Sequence, residues 1–299
     1  MLSKHPVVQI IIAVAALASI GIFVHHSDIE PISTGFYRCI LSLPLFIIIN
    51  KLEKPSVIPL KITTRQLNIL TLLGGFGLGM DMCIFNLAFN YTTMAENNLI
   101  VNLTPLIVFP ASILYNKKKT SWLISIPFAI ALFGLYQLVF GGAGTHQIHV
   151  TGDLLSLVAA LFYALFVVMT KVAADHGADM GRYMIKVSIC CAVILFAGGL
   201  IMHEHWLPHS LYGWVDLILL AIISQVFGQL LLAKAMKKVP LQLSSSLLLL
   251  QPIFAAIYGW VLFNEKLSTV QLFGATLVLV ALFAFKYINN INRVRKTIV

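Results

Sequence analysis

Ionisable side chains are rare within the long apolar stretches of this 299-residue sequence, so each one is a candidate for chemistry. Asp81 stands inside a run near 68–90, and Arg38 near the start of another at 34–50. A charge at the centre of an apolar helix costs about 2.5–3.5 kcal/mol on insertion scales, and therefore calls for a partner or a purpose. Asp81 supplies a carboxylate that could bind a cation or a proton; its other use is as a neutral carboxyl bonded to neighbouring helices. Arg38 supplies a planar fork of donors that suits a substrate carboxylate. It is also placed to pair with Glu96, which enters a later apolar run at similar depth, or to snorkel to an interface. Asn86, Gln225, Gln229 and Gln251 put amides in further runs, where they either line a cavity or bond helix to helix. The aromatics Tyr37, Tyr91, Tyr163, Tyr258 and Trp260 face an apolar ligand or anchor span ends at the interface.

Several other chemistries lack their residues. No Gly-x-x-x-x-Gly-Lys-Ser/Thr phosphate loop, His-Glu-x-x-His pair or Gly-x-Ser-x-Gly turn occurs, which argues against ATP hydrolysis and against a membrane enzyme. Cys39, Cys83, Cys190 and Cys191 all fall in apolar segments, where a thiol acts as a small hydrophobe; no disulfide framework, metal site or cofactor is expected. Seven histidines, His25, His26, His146, His149, His203, His205 and His209, cluster in loops of one side. Metal or pH sensing is one use of such a set, and polar filler on a face where Lys and Arg are disfavoured is the plainer one.

The elements that position these residues follow from composition. Hydrophobic residues make up 59% and charged residues 10% of the chain, against roughly 25% charged in a soluble domain. The formal charge of +9 forms no stripe of the kind that binds nucleic acid. Apolar windows fall near 7–24, 34–50, 68–90, 96–115, 121–140, 152–173, 183–202, 212–235, 242–263 and 268–288, which predicts ten transmembrane helices in a lipid bilayer and no soluble domain. Pro44, Pro105, Pro110, Pro127 and Pro252 lie within these windows and predict kinks. The first window, with Lys4 and Ala16-Leu17-Ala18, imitates a secretory signal, yet the repeat described next requires it as a span. With the N-terminus in the cytoplasm, every Lys and Arg except Lys266 and Arg38 falls on the cytoplasmic side, so both termini are expected there.

The chain also repeats itself. A shift of 147 residues lays Pro105 on Pro252, and Thr104 through Leu138 on Gln251 through Phe285, without a gap. The turn in the first copy is Asn116-Lys117-Lys118-Lys119-Thr120; in the second it is Asn264-Glu265-Lys266-Leu267-Ser268. One is strongly basic and the other nearly neutral, as expected of one hairpin pointing to opposite sides of a membrane in two five-helix halves, residues 1–145 and 146–299. Inverted repeats of this kind are an architecture of secondary transporters. Asn97, Asn98, Ser244, Ser245 and Ser246 hold equivalent places at span starts and are expected to cap helices, and Gly75 and Gly79 to permit close helix contact.

At these positions the sequence resembles the EamA-type ten-span members of the drug/metabolite transporter superfamily. The resemblance rests on Phe36-Tyr37-Arg38, on Asn86-Leu87-Ala88-Phe89-Asn90-Tyr91-Thr92-Thr93 leading to Thr104-Pro105, and on the run from Gly152 to Ala164. Its most specific part is Leu250-Gln251-Pro252 followed by Gly259, Glu265 and Gly274. The sequence departs from the family pattern where Lys118 occupies the place aligned with Glu265. The resemblance implies a carrier of small solutes, often an exporter of amino acids, metabolites or drugs, with protons or a counter-substrate as partner. Short loops favour a bacterial cytoplasmic (inner) membrane. An uptake permease, a membrane enzyme and a non-transporting scaffold are the competing readings.

Overall fold

A computed structural model describes residues 5–53, 59–88, 90–92, 97, 100–105, 107–108, 111, 125–140, 150–263 and 268–295. Among the described residues the chain is helical, without a strand. The elements are α1 (Pro6–Ala18), α2 (Ile20–His26), α3 (Pro31–Leu52), α4 (Thr64–Ala88), α5 (Ser125–Phe140), α6 (Val150–Asp175) and α7 (Met180–Ile201). They continue as α8 (Leu211–Leu220), a π-helical stretch (Ala221–Leu230), α9 (Leu231–Met236), α10 (Leu241–Leu247), a 3₁₀ turn (Leu248–Leu250), α11 (Gln251–Phe263) and α12 (Thr269–Arg295).

Seven helices among the described residues are long and apolar enough to cross a membrane, and two shorter apolar helices accompany them at 126–138 and 269–284. Nine of the ten apolar windows thus coincide with helices; most of the window at 96–115 lies outside the described residues. The second span is longer than its sequence window, because Pro31 starts it in the first turn and Pro44 sits inside without ending it. The first span is interrupted at Ser19, whose hydroxyl donates to the Ala16 carbonyl at 2.8 Å. Side chains such as Leu72, Val193, Phe227 and Phe273 point outward with half or more of their surface bare. Water would not tolerate so much apolar area, whereas lipid is its natural solvent.

Glycine governs the tightest seams. On α4, a Cβ added at Gly77 would lie 2.8 Å from the Phe162 carbonyl oxygen and 2.9 Å from the Phe166 nitrogen, so this helix rests on the bare backbone of α6. The close contact expected of Gly75 and Gly79 is made with α7, where added methyls would collide with Cys190 and Ile194. Gly134 of α5 and Gly274 of α12 meet in the same manner, each facing the other's carbonyl oxygen. The neighbours run in matched pairs: α4 packs on α6 and α7, while the π stretch packs on α1 and α3. Two further pairs are α3 with α7 and α5 with α12.

Both ends of the bundle are tied by polar bonds. At one, the Glu204 carboxylate accepts from the Ser33 amide at 2.7 Å, the Ser33 hydroxyl at 2.8 Å and the Ile32 amide at 3.3 Å, capping α3 from a loop distant in sequence. Asp28 likewise accepts from the His209 and Ser210 amides and the Ser210 hydroxyl. At the opposite end Lys234 pairs with Glu53. Lys171, near the end of the 152–173 window and counted from the sequence on the cytoplasmic side, is buried in α6, where its ammonium donates to Asp175 at 2.6 Å and to the Met236 carbonyl at 2.8 Å. The expected capping by the serines is also corrected. Ser244, Ser245 and Ser246 turn their hydroxyls back to the carbonyls of Pro240, Gln242 and Leu243, three or four residues earlier. Asn97 bridges helices, donating to the Phe85 carbonyl at 2.8 Å and accepting from the Ser156 hydroxyl at 2.8 Å, while Asn98 lies outside the described residues.

Candidate functional site

Arg38 lies seven residues after Pro31 opens α3, and Asp81 lies seven residues before Ala88 closes α4. At 1.5 Å per residue both are about 10 Å from the same end of the bundle. Gly35, one turn before Arg38, confirms the level, since a Cβ there would come within 2.9 Å of the Met82 methyl. Arg38 is 5% and Asp81 8% exposed, and their charges lie within reach of each other. Yet Nε of Arg38 and Oδ1 of Asp81 each lack a hydrogen-bond partner.

Two amides complete the surroundings. Gln225 and Gln229, four residues apart in the π stretch, are both buried, and the Oε1 of each is unpartnered. A wide helical turn in the middle of a span is a recurrent mark of a functional position, because it loosens the backbone where a ligand must be met. Tyr163 of α6 joins them: its hydroxyl lies against the Gln229 side chain and senses the charges of Asp81 and Arg38. The Gln225 amide nitrogen donates to the Cys39 sulfur at 3.4 Å. Donors, acceptors and one charge of each sign therefore converge from α3, α4, α6 and the π stretch. Such a set can grip a small zwitterion or carboxylate, with Arg38 for the anion, Asp81 for a cation or proton, and the amides for orientation.

The other expected residues are dispersed. Asn86 is partly buried one turn further along α4, and Gln251 is partly buried at the start of α11. Glu96 lies outside the described residues, and the acid that shares the surroundings of Arg38 is Asp81. Pro105, Pro252, Gly259 and Gly274 are buried packing positions, whereas Lys118 and Glu265, with the first turn of the repeat and all of the second but Ser268, lie outside the described residues. Tyr258 ties α11 to α1 through a 3.0 Å bond from its hydroxyl to the Ala15 carbonyl, and Trp260 faces outward. Sequence reasoning gave no special place to Cys39, treated there as a small hydrophobe, although it sits beside Arg38 in the chain.

A separate cleft of about 110 Å³ opens at the Lys234–Glu53 end, lined by Asn50, Asp179, Met180, Gly181 and Lys237 besides that pair. Ligand pockets for drug-sized solutes span about 300–1,000 Å³, so this one is too small to be the main solute site. Burial there lowers the Lys237 amine below its ordinary range, against the opposing influence of Asp179.

Known proteins add to this geometry. The model of the EamA-like transporter family matches twice, over residues 6–140 and again over 150–286. An uncharacterized transporter of Archaeoglobus fulgidus is 25% identical over 195 residues, covering 64% of this chain and 67% of that protein. A protein of known crystal structure superposes with a TM-score of 0.76 at 16% identity, over 93% of this chain and 95% of the other, a likeness of fold. With two family matches spanning nearly its whole length, apolar helices throughout and a buried polar centre, the chain is a multi-pass membrane transporter of the EamA-like family, within the drug/metabolite transporter superfamily.

Proposed function

We propose that this protein is a secondary carrier that exports small organic solutes, such as amino acids, metabolites or drugs, across the cytoplasmic membrane by alternating access. The observation that carries the reading is the buried polar cluster: Arg38, Asp81, Gln225 and Gln229 each hold an unpartnered polar atom in the interior of an otherwise apolar bundle. Unsatisfied buried groups are costly, and a polar solute bound among them removes that cost. Arg38 takes the solute carboxylate and Asp81 the proton or counter-cation that drives the cycle. Asn86 and Gln251 are further candidates within the spans, and Glu96 is proposed from the sequence alone.

Alternating access rests on two inverted five-helix halves, residues 1–145 and 146–299, with both termini in the cytoplasm. Three features support that arrangement. The family model matches once in each half. The third span packs on the sixth as the eighth packs on the first, and the third on the seventh as the eighth on the second, the relation a two-fold axis in the membrane plane would impose. The basic first turn and neutral second turn give the halves opposite charge on equivalent hairpins.

Proteoliposomes test the function. Comparing the metabolites retained by cells with and without the protein identifies a solute, and saturable counterflow of that labelled solute supports a carrier. Turnover without movement across the bilayer would establish an enzyme instead. Asp81→Asn abolishes coupling to a pH gradient; unchanged coupling removes Asp81 from the cycle. Tags at residues 118 and 265 reached from the same compartment would overturn the inversion.

A further inference from the structure

Three sulfur atoms from three different spans meet inside this bundle. Cys39 of α3 and Cys191 of α7 are fully buried, with their sulfurs 3.5 Å apart, and the Cys191 thiol is 3.7 Å from the Met82 sulfur of α4. The Gln225 amide donates to the Cys39 sulfur at 3.4 Å. We propose that Cys39, Cys191 and Met82 form a binding site for one soft monovalent cation, copper(I) or its analogue silver(I). The site is read by binding alone and stands independently of the solute and direction proposed above.

Geometry favours it first. Three sulfurs each about 2.3 Å from a central ion in a trigonal plane lie about 4.0 Å apart. The structure gives two sides of that triangle, 3.5 Å for Cys39–Cys191 and 3.7 Å for Cys191–Met82, each shorter by a few tenths of an ångström. Ligand chemistry favours it next. Two thiolates and a thioether select soft, low-valent ions, whereas zinc prefers four ligands in a tetrahedron. Among the described residues no group of three His, Cys, Asp or Glu side chains converges, so a harder divalent ion finds no set of its own. Charge completes the case. Binding converts two thiols and one cation into a bis-thiolate complex of charge −1 with release of two protons. Arg38, adjacent to Cys39 in the chain, acts electrostatically on both thiols, so the new negative charge would stand beside a positive one that it shares with Asp81. The Gln225 amide supplies the outer hydrogen bond that steadies a ligating sulfur. Cys83 and Cys190 are absent from the cluster and only partly buried, which makes them internal controls.

The experiment titrates silver(I) into purified, reduced protein in detergent against a competing chelator, with bound metal and released protons counted per chain. Wild type and C83S/C190S should each bind one ion and release two protons. C39S and C191S should lose that binding, and M82L should weaken it about 10–100-fold. Undiminished affinity in C39S, C191S or M82L, or loss of the site in C83S/C190S, would overturn the proposal. X-ray absorption on silver-loaded wild type keeps the question open to refutation should a variant fail to fold. Three sulfur neighbours support the site; a shell of nitrogen and oxygen, or a single sulfur, sinks it.

Discussion

Removing the charges of Arg38 and Asp81 one at a time, and then together, should give an asymmetric pattern. Both groups are nearly without solvent, so each depends on the other for compensation. Breaking a buried pair by deleting one partner typically costs about 3–5 kcal/mol. Since the Arg38 Nε and the Asp81 Oδ1 are not hydrogen-bonded, the lower end of that range applies here. Asp81→Asn strands a guanidinium that cannot shed its proton, and should cost about 3 kcal/mol. Arg38→Met leaves a carboxyl that can take up a proton and become neutral, so its cost should fall nearer 1–2 kcal/mol, about half as much. The double variant carries no buried charge and should be more stable than Asp81→Asn alone. Unfolding in detergent micelles, followed by tryptophan fluorescence, measures all four corners of this cycle. In parallel, counterflow should be absent from the double variant, although its stability is largely restored. Additive losses in the double variant, or a larger loss in Arg38→Met than in Asp81→Asn, would refute the idea that the two charges compensate each other.

Three further outcomes are expected. Gly77→Leu should destabilise the bundle by about 1–3 kcal/mol, because its Cβ meets the backbone of α6, while Gly21→Ala, with open space around it, should be neutral or gain up to about 1 kcal/mol; thermal unfolding separates them. Glu204→Gln should loosen the cap on α3 by about 1 kcal/mol and speed amide exchange at Ile32 and Ser33, readable by hydrogen–deuterium exchange. Burial lowers the Lys237 amine in the folded state, so the unfolded chain binds its proton more tightly, and stability should rise with pH as the medium passes from the lowered value to the ordinary lysine range. Lys237→Gln should remove that component from the difference in melting temperature between neutral and alkaline pH.

Hydropathy alone located most of the spans, since a run of about 20 apolar residues has few ways to fold in lipid, and the described helices coincide with those windows. It was blind to hydrogen-bond pattern. Neither the interruption at Ser19 nor the π stretch from Ala221 to Leu230 changes the apolar content, so neither leaves a trace in composition. Asp81 and Arg38 were legible because a charge in an apolar run is conspicuous, but their mutual approach depends on how α3 and α4 cross, which residue types do not encode. Lys171 was counted on the cytoplasmic side, at the end of the 152–173 window, because a lysine near a span end ordinarily reaches water; the Met236 carbonyl and Asp175 hold it inside instead. The cysteines were overlooked for a similar reason. Buried thiols are usually inert, and only the convergence of α3, α4 and α7 brings Cys39, Cys191 and Met82 together.

The ten-residue π stretch has a mechanical corollary. It holds slack, and tightening the rod into ordinary α-helix by one residue's register would swing everything beyond it through about 100°. Lys234 rides on that swinging segment, in α9, and would be carried away from Glu53, while Gln225 and Gln229 would rotate out of the space they share with Tyr163. The polar centre and the ion pair at the rim thus hang on the same short length of backbone, so that a single twist would move both.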